Sequence, residues 1–198
     1  MALVDRVRNI CVTPITEWPV IEQETTQPAE LVVSYLIPLA AIGAVAGFIG
    51  STLLRAALPF GPISVGLATG LVAACVSFLL TIVGCFVIAF IINALAPTFG
   101  GRQDTTQAFK VSVYSYTPGL VAGILTILPI LGSLVAIIAG LYGLYLLYLG
   151  LPVMMKAPQD KAPAYTIVVV VASIVLMLVI SAVLGLFAGA GMLGSRLF

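Results

Sequence analysis

Polar and apolar positions divide this chain sharply. Residues 1–30 mix the two, whereas from residue 31 onward long apolar runs are broken only by short stretches rich in Pro, Gly and charge. A helix needs about 20 apolar residues to cross the hydrocarbon core of a bilayer. Five runs reach that length, and they predict spans over about 31–54, 63–95, 106–128, 130–151 and 164–193. The stretch from Tyr114 to Met155 holds no formal charge and turns once, at Leu128-Pro129-Ile130-Leu131-Gly132-Ser133, so it reads as a hairpin of two spans. The second run exceeds a perpendicular crossing and must tilt or protrude. Pro59-Phe60-Gly61-Pro62, Pro97 with Gly100-Gly101-Arg102-Gln103-Asp104, and the loop from Lys156 to Pro163 separate the other spans. The fold class is an all-α polytopic membrane protein, with a polar arm over 1–30 and a membrane domain over 31–198.

Within the arm, Leu3, Val4, Val7 and Cys11 recur at helical spacing, with Asp5, Arg6, Arg8 and Asn9 on the other faces. This predicts a short amphipathic helix on the membrane surface, its arginines turned toward anionic headgroups. Pro14 ends it. The segment Pro14 to Glu22 carries the lone Trp18, a residue suited to the interfacial belt.

Composition settles the class: 62% of residues are hydrophobic, 8% are charged and mean hydropathy is +1.25. Soluble domains carry about 25% charged residues. A net charge of +1 argues against nucleic acid, which would require a basic patch. Asp5, Arg6 and Arg8 are followed by a polar, Pro-broken stretch rather than the apolar run of a signal peptide, so the first span acts as its own insertion signal. With five spans, Arg6, Arg8, Arg102, Lys110, Lys156 and Lys161 fall on one side and only Arg55 and Arg196 on the other. The Lys/Arg bias puts the amino terminus in the cytoplasm and the carboxyl terminus outside. Glu17, Trp18 and Glu22 then share a side with Arg102 and Lys110, and these five are the candidate partner-docking residues.

Inside the spans, small residues stand four apart: Gly43 with Gly47, Gly66 with Gly70, Gly119 with Gly123, Ala136 with Gly140, Gly185 with Gly189. Such pairs let membrane helices approach closely. Pro118 interrupts the third span, with Ser112, Ser115 and Thr117 nearby as donors for a freed carbonyl. Tyr142, Tyr145 and Tyr148 recur every three residues on the fourth. The cluster Tyr114, Tyr116, Pro118, Tyr142 and Tyr145 reads either as polar glue between helices or as the lining of a cavity.

Chemistry is sparse. There is no His, which removes histidine acid–base catalysis and His-ligated metal. No Asp or Glu falls in a predicted span, so a carboxylate relay has no candidate. The glycines sit in apolar helices and form no nucleotide fingerprint. Cys75 and Cys85 are about 15 Å apart along one helix, too far for a disulfide, and Cys11 faces a reducing compartment. The expectation is a protein that is not an enzyme, with no catalytic residue, no metal ligand, no cofactor and no small-molecule substrate identified.

The run Arg6-Val7-Arg8-Asn9-Ile10, then Pro14, Trp18, Ile21 and Glu22, and Ser34-Tyr35-Leu36-Ile37-Pro38-Leu39, resembles the amino-terminal half of bacterial members of the Yip (Ypt/Rab-interacting protein) family. Tyr114-Ser115-Tyr116-Thr117-Pro118, Leu128-Pro129-Ile130-Leu131-Gly132, Leu141-Tyr142-Gly143-Leu144-Tyr145 and Gly150-Leu151 are similar to its core domain. The resemblance implies five spans and a cytoplasmic amino terminus. Eukaryotic relatives are linked to Rab GTPases, vesicle traffic and membrane shaping. The long acidic cytosolic region of those relatives is missing, so Rab binding is not carried over. What remains is a scaffold or accessory subunit of the bacterial cytoplasmic (inner) membrane, with lipids, a membrane-protein partner or copies of itself as partners. The alternative is a transporter or lipid-moving protein that uses the Pro-broken third span and its tyrosines.

Overall fold

A computed structural model of the protein describes residues 2–50, 67–127, 129–175 and 178, and all regular structure among them is helical. Helices α1 (Leu3–Val12) and α2 (Pro14–Gln23) form a hairpin with Thr13 alone at the bend. Pro14 does not merely stop α1. It also opens α2, at the first helical position, where no intrahelical N–H is needed and φ is already set. The sequence alone predicts the end of α1 at Pro14 and no element over 14–22. Pro19 inside α2 forfeits one ladder bond, and burial of Pro14, Glu17, Trp18 and Ile21 against the rest of the protein holds the helix regardless.

Helix α3 runs Pro28–Phe48. It widens into a π-helical stretch at Val32–Leu36, where the Ile37 N–H reaches the Val32 carbonyl five residues back. Pro38 follows directly, and the wider turn relieves the clash a proline ring makes with the carbonyl four residues before it. Helix α4 (Leu67–Leu95) continues through a 3-10 turn, Ala96–Phe99, and stops at Gly100, whose φ of 74° lies in the left-handed region open to glycine. Asp104 caps α5 (Thr105–Ala122) by accepting the Gln107 N–H at 3.0 Å. A 3-10 stretch, Gly123–Ile127, leads to α6 (Pro129–Met154). After the short turn Gln159–Lys161, α7 occupies 162–175.

Among the described residues three helices are long and apolar enough to cross a membrane: Pro28–Phe48, Leu67–Phe99 and Leu134–Met154. The predicted third span has a different character. Helix α5 is shorter, 18 residues, and 12 of them are buried because α3, α4 and α6 surround it. It is the core of the bundle. Of the predicted fifth span, α7 covers the described part. The remainder lies outside the described residues, as do Arg55, the Pro59-Pro62 turn, Gly66, the Gly185–Gly189 pair and Arg196.

Close helix approach uses single members of the predicted pairs, together with glycines outside them. A Cβ on Gly123 would stand 3.2 Å from the Gly43 Cα, and one on Gly143 would stand 2.8 Å from the Ser115 carbonyl oxygen. A Cβ on Gly119 or Gly140 would meet nothing within 4 Å. Polar ties complete the bundle. Ser112 donates to the Cys85 carbonyl at 2.7 Å, Tyr35 and Thr117 share a hydroxyl bond at 2.9 Å, and Tyr165 donates to the Ile92 carbonyl.

Candidate functional site

The arm is seated against the bundle by charge. Arg6 is buried on the inner face of α1, where its guanidinium binds the carboxylates of Glu17 and Glu24 and lies 5.7 Å from the centre of the Tyr114 ring. From the bundle side, Lys110, itself buried, donates to the carbonyls of Ile21 (3.2 Å) and Glu24. A cation at the end of α2 meets the negative pole of the helix dipole, and it supplements the 3.3 Å bond that the Ile21 carbonyl already accepts from the Glu24 N–H. Two cations and two carboxylates thus share one buried cluster, a neutral arrangement that a low-dielectric interior tolerates far better than any one of its members alone.

Packing adds the rest. Trp18 is 1% exposed and stands edge-on to Tyr114, ring centroids 6.4 Å apart. Tyr35 approaches Tyr114 similarly, at 5.0 Å. The slot for the indole exists because position 150 is glycine: a Cβ there would fall 2.7 Å from a Trp18 ring carbon. Deeper along α6, the Tyr142 hydroxyl donates to the Cys11 carbonyl at 2.8 Å, satisfying one of the last carbonyls of α1.

At the open end of the hairpin three chain segments meet. Glu22 pairs with Lys156 at 2.6 Å, and its carbonyl accepts from the Gln107 side chain at 3.1 Å. The Arg102 N–H donates to the Met155 carbonyl at 2.7 Å, and Gly101 packs so tightly there that a Cβ would lie 2.9 Å from that oxygen. The arm end, the 100–104 loop and the 155–161 loop therefore form one polar surface, on which Arg102, Gln103, Asp160 and Lys161 are exposed.

The model of the Yip1 domain family matches residues 9–193, a range that takes in Trp18, α5 and the Gly150 slot. The chain belongs to the Yip1 domain family. With its apolar helices, this Yip1-domain protein is an integral, multi-pass membrane protein. Neither a curated protein nor a solved structure matches the chain.

The candidate docking residues of this Yip1-domain protein are distributed unevenly. Glu17 and Trp18 are interior, with Arg6, Tyr114 and Gly150 as neighbours. Lys110 is also interior and serves α2 carbonyls rather than a carboxylate side chain. Glu22 is half-buried on Lys156, and Arg102 is exposed. The tyrosine cluster splits in two. Tyr114 and Tyr142 face the arm, and the Tyr145 ring lies beside Tyr142 at 5.7 Å while remaining exposed. Tyr116 points elsewhere, into a cavity of about 220 Å³ that it lines with Ser77, Thr81 and Gly119, next to Pro118 in the chain. Arg6 faces inward, whereas the sequence reading turned it toward headgroups, and Glu24 was not singled out at all. One signal pointed to both. Glu17, Glu22 and Glu24 crowd one short stretch that contains no Lys or Arg, and the nearest basic residues are Arg6 and Arg8.

Proposed function

We propose that this Yip1-domain protein is a non-catalytic scaffold, or the accessory subunit of a larger assembly, in the bacterial cytoplasmic membrane, with its amino terminus in the cytoplasm. It acts by binding a membrane-protein partner, lipids or copies of itself. The observation that carries this reading is the joined polar surface. The Glu22–Lys156 pair and the Arg102–Met155 bond tie three separate chain segments into a fixed platform, and the buried charges beneath it are consumed in holding the arm. A preformed platform loses little entropy when a partner docks.

Cross-linking from a photoreactive residue at position 103 in native membranes tests this. Arg102→Glu with Lys161→Glu, both exposed positions, is expected to cut partner capture about tenfold, or ~1.4 kcal/mol, with helix content unchanged. Undiminished capture would sink the reading.

A second reading has its own observation. The cavity at Tyr116, Ser77 and Thr81 lies between α3, α4 and α5 and is bordered by Gly43, Gly119 and Gly123. It fits a lipid-moving or transporting role. Loss of lipid or solute flux in Tyr116→Phe, with partner capture intact, would promote it over the scaffold.

A further inference from the structure

We infer that the α1–α2 hairpin is a re-entrant membrane element: its bend, from Val12 to Ile15, sits among the phospholipid acyl chains of one leaflet. It does not lie flat on the surface. The depth follows from α6. This helix carries no charge from Pro129 to Met154, and a hydrocarbon core of about 30 Å takes about 20 of its residues. If the core begins level with Pro129, its opposite edge falls near residue 149, and Tyr142 lies about seven residues, or ~10 Å, inside it. Sliding the core toward Met154 takes Tyr142 deeper still. Side chains on a helix lean toward its amino terminus, which for Tyr142 is also the deeper direction. The Tyr142 hydroxyl holds the carbonyl of Cys11, the residue before Val12. The bend is therefore fixed at a depth where water is absent.

Three independent features agree. From Ile10 to Thr16 the hairpin has no charged residue, while Asp5, Arg6, Arg8, Glu17, Glu22 and Glu24 all stand toward its open end. Lys156, 57% exposed, pairs with Glu22 at that open end, where water reaches it. The side chains that flank the bend, Val12 (68% exposed) and Ile15 (67%), are bare valine and isoleucine. On α6, Leu141 and Leu144, which flank Tyr142 in the chain, are exposed too. Backbone polar groups at this depth need partners. The α1 ladder and the Tyr142 hydroxyl supply them at Cys11, and the Thr13 N–H is bonded to the Asn9 carbonyl. Arg8, four residues from Val12, has a stem long enough to carry its charge back toward the headgroups.

The test uses the full chain in vesicles of phosphatidylcholine and phosphatidylglycerol. Cys11, Cys75 and Cys85 are replaced by Ala, and a nitroxide is attached in turn to Val12→Cys, Ile15→Cys and, as a water reference, Gln159→Cys. At 12 and 15 molecular oxygen should relax the label more than a water-soluble nickel chelate does, at a depth of ~10 Å below the core edge; at 159 the order should reverse. Nickel dominance at 12 and 15 would put the bend in water and overturn the inference. So would low access to both reagents, which means a protein cover, or dipolar broadening between labels, which means a second copy. If the cysteine-free background loses helix content, a diazirine amino acid at position 15 of the otherwise native chain gives the answer: a phospholipid adduct supports insertion, and a water or protein adduct overturns it. Position 103 and the platform play no part in this readout, so the scaffold reading and the re-entrant hairpin stand or fall separately.

Discussion

The arm and helix α4 invert the usual relation between polarity and burial. Helix α4, 29 residues of almost unbroken apolar sequence, buries only Gly70, Cys85, Ala89 and Ile92 against protein. The 20 residues of α1 and α2, the most polar in the fold, bury Arg6, Ile10, Pro14, Glu17, Trp18 and Ile21. Lipid satisfies an apolar helix as well as protein does, so nothing drives α4 inward except close packing. Charged groups have no such alternative near a bilayer. They find each other, and the cluster they form becomes the most determined part of the structure. In this family member the core is recognised by its polar content.

The sharpest way to break that contrast is Arg6→Met. It leaves Glu17 buried without its partner, and removing one member of a buried pair costs about 3–5 kcal/mol. Amide hydrogen exchange should show α1 and α2 losing protection while the central turns of α4 keep theirs. Equal loss in both would mean that arm and bundle fold as one unit, and the contrast would fail. Gly150→Val comes next. The added side chain overlaps the Trp18 ring, and overpacking of this kind costs about 1–3 kcal/mol. The indole should leave its slot, seen as a red-shifted Trp18 emission with helix content retained. The smallest effect belongs to Lys156→Ala, which removes an ion pair whose lysine is more than half exposed. Such pairs are worth about 0–1 kcal/mol, and the small loss should vanish in high salt. A larger, salt-insensitive loss would move Glu22 into the buried cluster.

The sequence made some of this legible for simple reasons. Apolar run length marked the helices, since a bilayer imposes a minimum, and Pro and Gly marked the breaks at Gly100 and Pro129. Helix α2 was hidden, because Pro14 reads as the stop of α1 as readily as the start of a new helix, and Pro19 is a local signal against a helix that the tertiary burial of Trp18 and Ile21 overrides. The direction of Arg6 was hidden for the opposite reason. Amphipathic reasoning sends arginine outward by default, and only the surplus of acids in α2 argues otherwise. The glycines of closest approach, Gly143 and Gly150, were not among the predicted pairs because spacing within one helix says nothing about what lies opposite. Trp18 and Gly150 meet across most of the chain, and no local pattern encodes that meeting. The platform depends on similar long-range closure between Glu22 and Lys156.

The Trp18 slot also sets an order of events during synthesis. Its far wall is Gly150, about 130 residues later, and at roughly 5–20 residues per second the arm must wait on the order of ten seconds before the slot exists. Tyr114 and Lys110 arrive earlier, but still after two long apolar helices have left the ribosome. Arg6, Glu17 and Glu24 arrive together. Because both carboxylates that pair with Arg6 are carried within the first 24 residues, the guanidinium can be paired at once and the hairpin can keep its shape while the bundle is unfinished; Lys110 supplies the second cation later. The bonds from Lys110 and Tyr142 then close on a shape already made.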